Sequence, residues 1–205
     1  MHLKKEFTQL IRTYTSNDSI IESYWQEIQG RYTNKKRHYH TLVHLEALIR
    51  QLSGFRPLIE DWNTLLFSIY YHDIVYNVLK SDNEERSAEL AVKRLADINY
   101  PDDKINICKE SILCTKNHAY HGNGDINFFT DADLSILGQP QDLYEQYCDQ
   151  IRREYAIYPD IVYNPARKKV LSHFLNMERI FKTEPFYIKF EVQARLNLQA
   201  EADRL

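Results

Sequence analysis

Two hundred and five residues suffice for one generous domain or two small ones, and the 43% that are hydrophobic supply ample core material. Glycine occurs 5 times and proline 6 times, about half their usual share, which excludes the turn-rich β-sandwiches and barrels and any glycine-built phosphate loop. With 26 Lys+Arg against 29 Asp+Glu, a formal net of -3, the chain has no general attraction to nucleic-acid duplexes or membranes.

Along the chain, residues 3–14 carry Leu3, Phe7, Leu10, Ile11 and Tyr14 at helical spacing. Asn17, Asp18 and Ser19 offer a cap for a second helix, whose buried side is Ile20, Ile21, Tyr24, Trp25 and Ile28. The basic, aromatic stretch from Arg31 to Tyr39 breaks the period, and a helix is predicted from about Thr41 to Leu52. After a turn at Ser53-Gly54 and Pro57 comes the most apolar segment, Trp62 to Leu79. Its core, Leu65 to Tyr76, is apolar almost all round, as expected of a helix central in its bundle.

Helices are predicted next from Asp82 to about Leu95 and from Pro101 to about His118, then a loop from His121 to Asp125. Short helices follow at Asp131–Leu137 and from Pro140 to Tyr155. The last third is amphipathic, with Val170, Leu171, Phe174 and Leu175, then Phe186, Phe190, Val192, Ala194 and Leu198. The pattern predicts an all-α protein. Without repeat, low-complexity tract or linker, one domain over residues 1–205 is the economical expectation. Cys108, Cys114 and Cys148 form an odd set with no CxxC and read as reduced thiols. Met1 to Glu6 lacks the apolar core of a signal peptide and no run of 18 apolar residues exists, so a cytoplasmic protein away from membranes is expected.

The histidines carry the chemical information. His40 and His44 stand four residues apart, on one face if the helix begins by His40. That spacing lets one ring bind a metal while the other reaches a substrate; the alternative is a pair of partly exposed histidines at a helix start. His72-Asp73 sits within the most apolar segment, where burying an imidazole with a carboxylate requires a hydrogen bond, a partner charge or a metal. No Lys or Arg occurs between Trp62 and Val78 to neutralise Asp73 locally. In Thr130-Asp131-Ala132-Asp133-Leu134-Ser135, the carboxylates at i and i+2 cannot point the same way from a helix. One can face a metal while the other caps the helix, and Asp131 is the better cap.

The order His44, then His72-Asp73, then Asp133 resembles the HD-domain superfamily of metal-dependent phosphohydrolases, with the pattern H…HD…D. Tyr39-His40-Thr41-Leu42-Val43-His44 resembles the YHNxxH motif of cyclic-nucleotide phosphodiesterases, and Ala132-Asp133-Leu134-Ser135 resembles their ADLS segment. The chain as a whole is similar to a small bacterial group of predicted HD phosphohydrolases. Supporting segments are Arg37-x-Tyr39-His40, Tyr71 to Tyr76, Asn83 to Ala88, Asp131 to Leu134 and Ile151 to Tyr155. They cover about residues 31–155, a metal-site core on which C-terminal helices from about 160 to 205 would pack. His72-Asp73 is not followed by the Val-Asp-His-Pro-Gly of the cyclic-nucleotide enzymes, so the resemblance stops short of a cyclic-nucleotide substrate.

The resemblance implies His44, His72, Asp73 and Asp133 as ligands of one or two divalent ions, and His40 as the general acid. Two histidines with two aspartates suit Mn, Fe, Co, Ni or Zn more than Mg alone. Metal-activated water would cleave a phosphate ester of a nucleotide or another small metabolite. Arg37 would clamp a phosphate oxygen from one helical turn before His40, or else be a solvated charge of the Lys35-Lys36-Arg37 run. His118 would bind a second ion or the phosphate, or simply end its helix. Either Glu84 or Glu85 would orient a water or hold His72, the other being first-turn helix charge. The competing expectations are a di-iron oxygenase on the same scaffold and a non-catalytic nucleotide sensor. Monomer and homodimer are both compatible with the tyrosine-rich composition.

Overall fold

A computed structural model describes residues 2–205, and among these every regular element is helical. Ten α-helices run in the order α1 (His2–Arg12), α2 (Asp18–Tyr32), α3 (Leu42–Ser53), α4 (Trp62–Tyr71), α5 (Asn83–Asp97), α6 (Asp102–Cys114), α7 (Gly124–Leu134), α8 (Gln141–Glu154), α9 (Asp160–Leu175) and α10 (Glu184–Arg204). Short 3-10 turns follow α3 at Arg56–Leu58 and α7 at Ser135–Gly138. None of the helices is long and apolar enough to cross a membrane. The three cysteines are free thiols.

The chain divides into two compact units, one up to Phe129 and one from Thr130 to Leu205. The division falls inside α7, which is a single unbroken helix.

In the first unit α4 is central, buried at every position from Thr64 to Tyr71. Asp61 starts it by accepting from the Thr64 amide at 3.1 Å, which satisfies one of the donors a helix leaves open at its N-terminus. Aromatic side chains fill the space around it. Phe7 meets Tyr70 edge-on at 5.0 Å, and Tyr100 lies 5.0 Å from Phe67 and 4.7 Å from Tyr14. Each such fully buried ring contributes about 1.5–3 kcal/mol of transfer free energy. Arg94 on α5 clamps Glu27 on α2 through two bonds of 2.8 and 2.9 Å.

The predicted helix over Trp62–Leu79 stops short, at Tyr71, with His72 as its C-terminal cap. The backbone beyond it is claimed by distant side chains instead of by the helix. The Asp73 amide donates to the Tyr32 hydroxyl (3.2 Å), the Val75 amide to Ser87 Oγ (3.1 Å), and the Asp73 and Ile74 carbonyls accept from Arg37 (2.7 and 3.1 Å). With those groups satisfied, 73–75 leaves the helix at no cost in unpaired polar atoms.

In the second unit α10 packs along α9 and over the 3-10 turn. A Cβ on Gly138 would lie 2.5 Å from Phe190 Cβ and 2.6 Å from its carbonyl oxygen. Only glycine lets the turn approach α10 this closely. Asn197 pins the same turn, donating to the Leu137 and Gln139 carbonyls at 2.8 Å each. Buried deeper, Arg167 pairs with Glu201 through bonds of 2.8 and 3.0 Å, and the Tyr144 hydroxyl donates to the same carboxylate.

Asp131 is a helix-interior residue of α7 rather than the N-cap its position suggests. The helix begins seven residues earlier, where the Asn123 side chain accepts from the Asp125 amide at 2.8 Å. The fully buried Asp131 carboxylate accepts from the Lys182 and Thr183 amides (2.9 and 2.7 Å) and pairs with the Lys182 ammonium at 3.0 Å. It thereby fixes the entry to α10, whose N-cap is Thr183.

Candidate metal centre

Three chain segments converge on a buried group of imidazoles and carboxylates. His44 comes from the first turn of α3 and is 5% exposed; His72 closes α4 and is 1% exposed. Their Nε2 atoms face each other at 3.2 Å. His72 Nδ1 lies 2.9 Å from the Ile69 carbonyl, which only accepts, so Nδ1 carries a hydrogen and Nε2 is turned away from it towards His44. Asp73 Oδ2 lies 3.0 Å from that same Nε2.

The third segment is α7. The Phe129 ring stands edge-on to the His72 ring at 5.6 Å. Asp133, the remaining residue of the expected ligand set, lies at the end of α7 in the second unit.

This donor set fits a divalent cation. Two buried imidazole nitrogens 3.2 Å apart, with a carboxylate oxygen 3.0 Å from one of them, are costly without a proton or a cation among them. The Ile69 carbonyl behind His72 is the support that orients metal-bound histidines and fixes their tautomer. Mixed nitrogen and oxygen donors suit first-row transition ions.

His40 lies outside the helix expected to hold it. Thr41 is an extended N-cap residue, φ -116° and ψ -179°, and α3 begins at Leu42. His40 and His44 therefore do not share a helical face, although their rings approach to 5.8 Å. His40 Nε2 is 3.9 Å from Asp73 Oδ2, and its ring packs on Tyr76 with centroids 4.4 Å apart.

Arg37 likewise precedes the helix instead of standing one turn before His40 along it. It is buried at 8% exposure, and its donors go to the backbone carbonyls of His40, Asp73 and Ile74 at 3.2, 2.7 and 3.1 Å. Such an arginine is not a solvated charge, and its guanidinium is engaged by backbone. The physical reason is that three carbonyls left outside helices converge on it.

Glu84 and Glu85 both lie in the first turn of α5 but have different surroundings. Glu85 is tied to Lys116 by a short ion pair, and the Lys116 bond chiefly holds its carboxyl below the usual range. Glu84 is half-buried; burial pushes its carboxyl up and the Asp73 charge adds to the rise. His118 lies four residues beyond the end of α6, in a left-handed turn at φ 52°. Tyr32 and Tyr76, which support Arg37 and His40, are not singled out by motif spacing. The one available sign is the aromatic residue closing Asp73-Ile74-Val75-Tyr76.

Comparison with protein-family models, with curated proteins and with solved structures found no match. The functional reading therefore stands on these residues and their geometry.

Proposed function

We propose that this protein is a metal-dependent phosphohydrolase that cleaves a phosphate ester of a nucleotide or another small phosphorylated metabolite. One observation carries the reading: the Nε2 atoms of two buried histidines meet at 3.2 Å, with Asp73 Oδ2 3.0 Å from that of His72. His44, His72, Asp73 and Asp133 would hold one or two ions of the Mn, Fe, Co, Ni or Zn type. Bound there, a divalent ion supplies Lewis acidity towards water and phosphoryl oxygens.

The remaining work falls to the chain itself. His72 has its Nε2 turned inward because the Ile69 carbonyl accepts from Nδ1. His40, beside Asp73 but off the ligand group, would donate a proton to the departing oxygen. Glu84, close enough to feel the Asp73 charge, would steady the water side of the centre from the first turn of α5. The burial of His44 and His72 limits solvent around these charges, which strengthens each interaction.

The test is phosphate release from a panel of nucleotides and simple esters by the Mn-loaded protein, with and without chelator. Release that the chelator abolishes is expected; no release from any ester would overturn the reading. His40→Ala is expected to keep its metal but lose roughly 10²–10⁴-fold in turnover on alkyl esters, the usual span of acid–base catalysis. An activated aryl phosphate, whose leaving group needs no proton, should lose far less. Equal loss on both substrate types would count against His40 as the donor.

A further inference from the structure

We infer that Arg37 and Tyr76 are positioning residues that together mount the His40 imidazole against the Asp73 segment; only the consequence for turnover rests on the hydrolase reading. The mount joins planar groups in series. The Arg37 guanidinium lies 4.8 Å from the Tyr32 ring centre and 5.2 Å from that of Tyr76, and the Tyr76 ring packs on His40 at 4.4 Å with planes 34° apart. Cation–π and ring contacts of this kind hold orientation as well as position.

The same guanidinium works on the backbone. Nη1 donates to the carbonyls of His40 (3.2 Å) and Asp73 (2.7 Å), and Nη2 to that of Ile74 (3.1 Å). One side chain therefore ties the segment that carries His40 to the segment that carries Asp73, which is 36 residues further on than Arg37. Both segments lie outside helices, so no i→i−4 ladder holds them. The fixed fork of arginine makes this tie; the compact ammonium of lysine reaches fewer acceptors and does not stack as a plane. Tyr76 then fixes the ring whose backbone Arg37 has fixed.

The consequence is geometric. Misplacing a reacting group by about 1 Å costs on the order of 10²-fold in rate. Arg37→Lys and Tyr76→Leu should each lower kcat on alkyl esters roughly ten- to hundredfold, with KM and bound metal near wild type, and Tyr76→Phe should restore turnover because the ring remains.

The deciding measurement needs no turnover. In metal-free protein labelled with 13C-histidine, the His40 ring protons should show the upfield ring-current shift of an imidazole packed on an aromatic face. Tyr76→Phe should keep that shift, Tyr76→Leu should abolish it, and Arg37→Lys should reduce it, while the His121 signals stay in place. His40 signals unchanged in both Tyr76→Leu and Arg37→Lys would overturn the mount. If the shifts behave as stated but wild type cleaves no ester, the mount stands and the hydrolase reading fails.

Discussion

His72→Ala is expected to release the divalent ion and to lower ester hydrolysis more than about a hundredfold, since even the indirect partners of metal ligands are worth 10–100-fold. His72 is the hinge of the centre. Its Nε2 is 3.2 Å from His44 Nε2 and 3.0 Å from Asp73 Oδ2, and its Nδ1 is committed to the Ile69 carbonyl. Removing the ring takes away one donor and the registration of two others. It also opens a cavity beside Phe129, because the ring is 1% exposed, so a loss of stability is expected with the loss of metal. His72→Gln separates the two effects: it keeps most of the volume, loses the imidazole donor, and should melt near wild type with little metal bound. Metal analysis, turnover and thermal unfolding of both variants make the check. Full metal content with full turnover in either would contradict the assignment of His72.

Glu201→Ala should produce the largest loss of stability in the second unit, about 3–5 kcal/mol, because it strands a buried guanidinium. Arg167 and Glu201 are 8% and 5% exposed, and their two bonds of 2.8 and 3.0 Å leave Arg167 no solvent to fall back on. The expected fall in Tm is about 10 °C for a chain of this size. A combined Arg167→Met, Glu201→Leu variant should recover most of it, since removing both charges removes the desolvation problem. A melt of Glu201→Ala within about 2 °C of wild type, less than 1 kcal/mol, would show that the pair contributes little.

The same pair sets an acid limit. Burial pushes the Glu201 carboxyl up, but the Arg167 guanidinium and the Tyr144 hydroxyl outweigh it and hold the group below its ordinary 4.5. A depressed native pKa means that the unfolded state binds the proton more readily. The stabilisation is therefore fully present above pH 4.5 and is lost as pH falls through the lower native value. The double variant should show a shallower fall of Tm over that acid range than wild type.

How far the sequence carries can be seen at particular residues. The 3.6-residue period marks α1, α2 and α3, the last to within a residue at each end, because each buries one apolar stripe. The end of α4 is invisible to it. Leu65 to Tyr76 is apolar all round, and what stops the helix is a hydroxyl from Tyr32, a guanidinium from Arg37 and a hydroxyl from Ser87, all distant in the chain. No local propensity encodes such bonds.

Asp131 misleads for a related reason. An aspartate before a leucine-rich turn has the composition of a cap, whereas the cap is Asn123 and Asp131 serves the start of α10 some fifty residues later. The division between the units has no compositional trace either, since it falls within α7. At the candidate centre, His44 and His72-Asp73 stand out by residue type and order, and the fold of the first unit brings the two histidine Nε2 atoms to 3.2 Å. Arg37 is legible only as a cation; that its donors serve three backbone carbonyls depends on tertiary placement.

Anomalous diffraction from a crystal grown with Mn would locate a divalent ion among these ligands. A manganese peak in contact with His44 Nε2, His72 Nε2 and an aspartate carboxylate oxygen is the expected result. Manganese found only on surface carboxylates, with the His44–His72 pair still closed on itself, would contradict it.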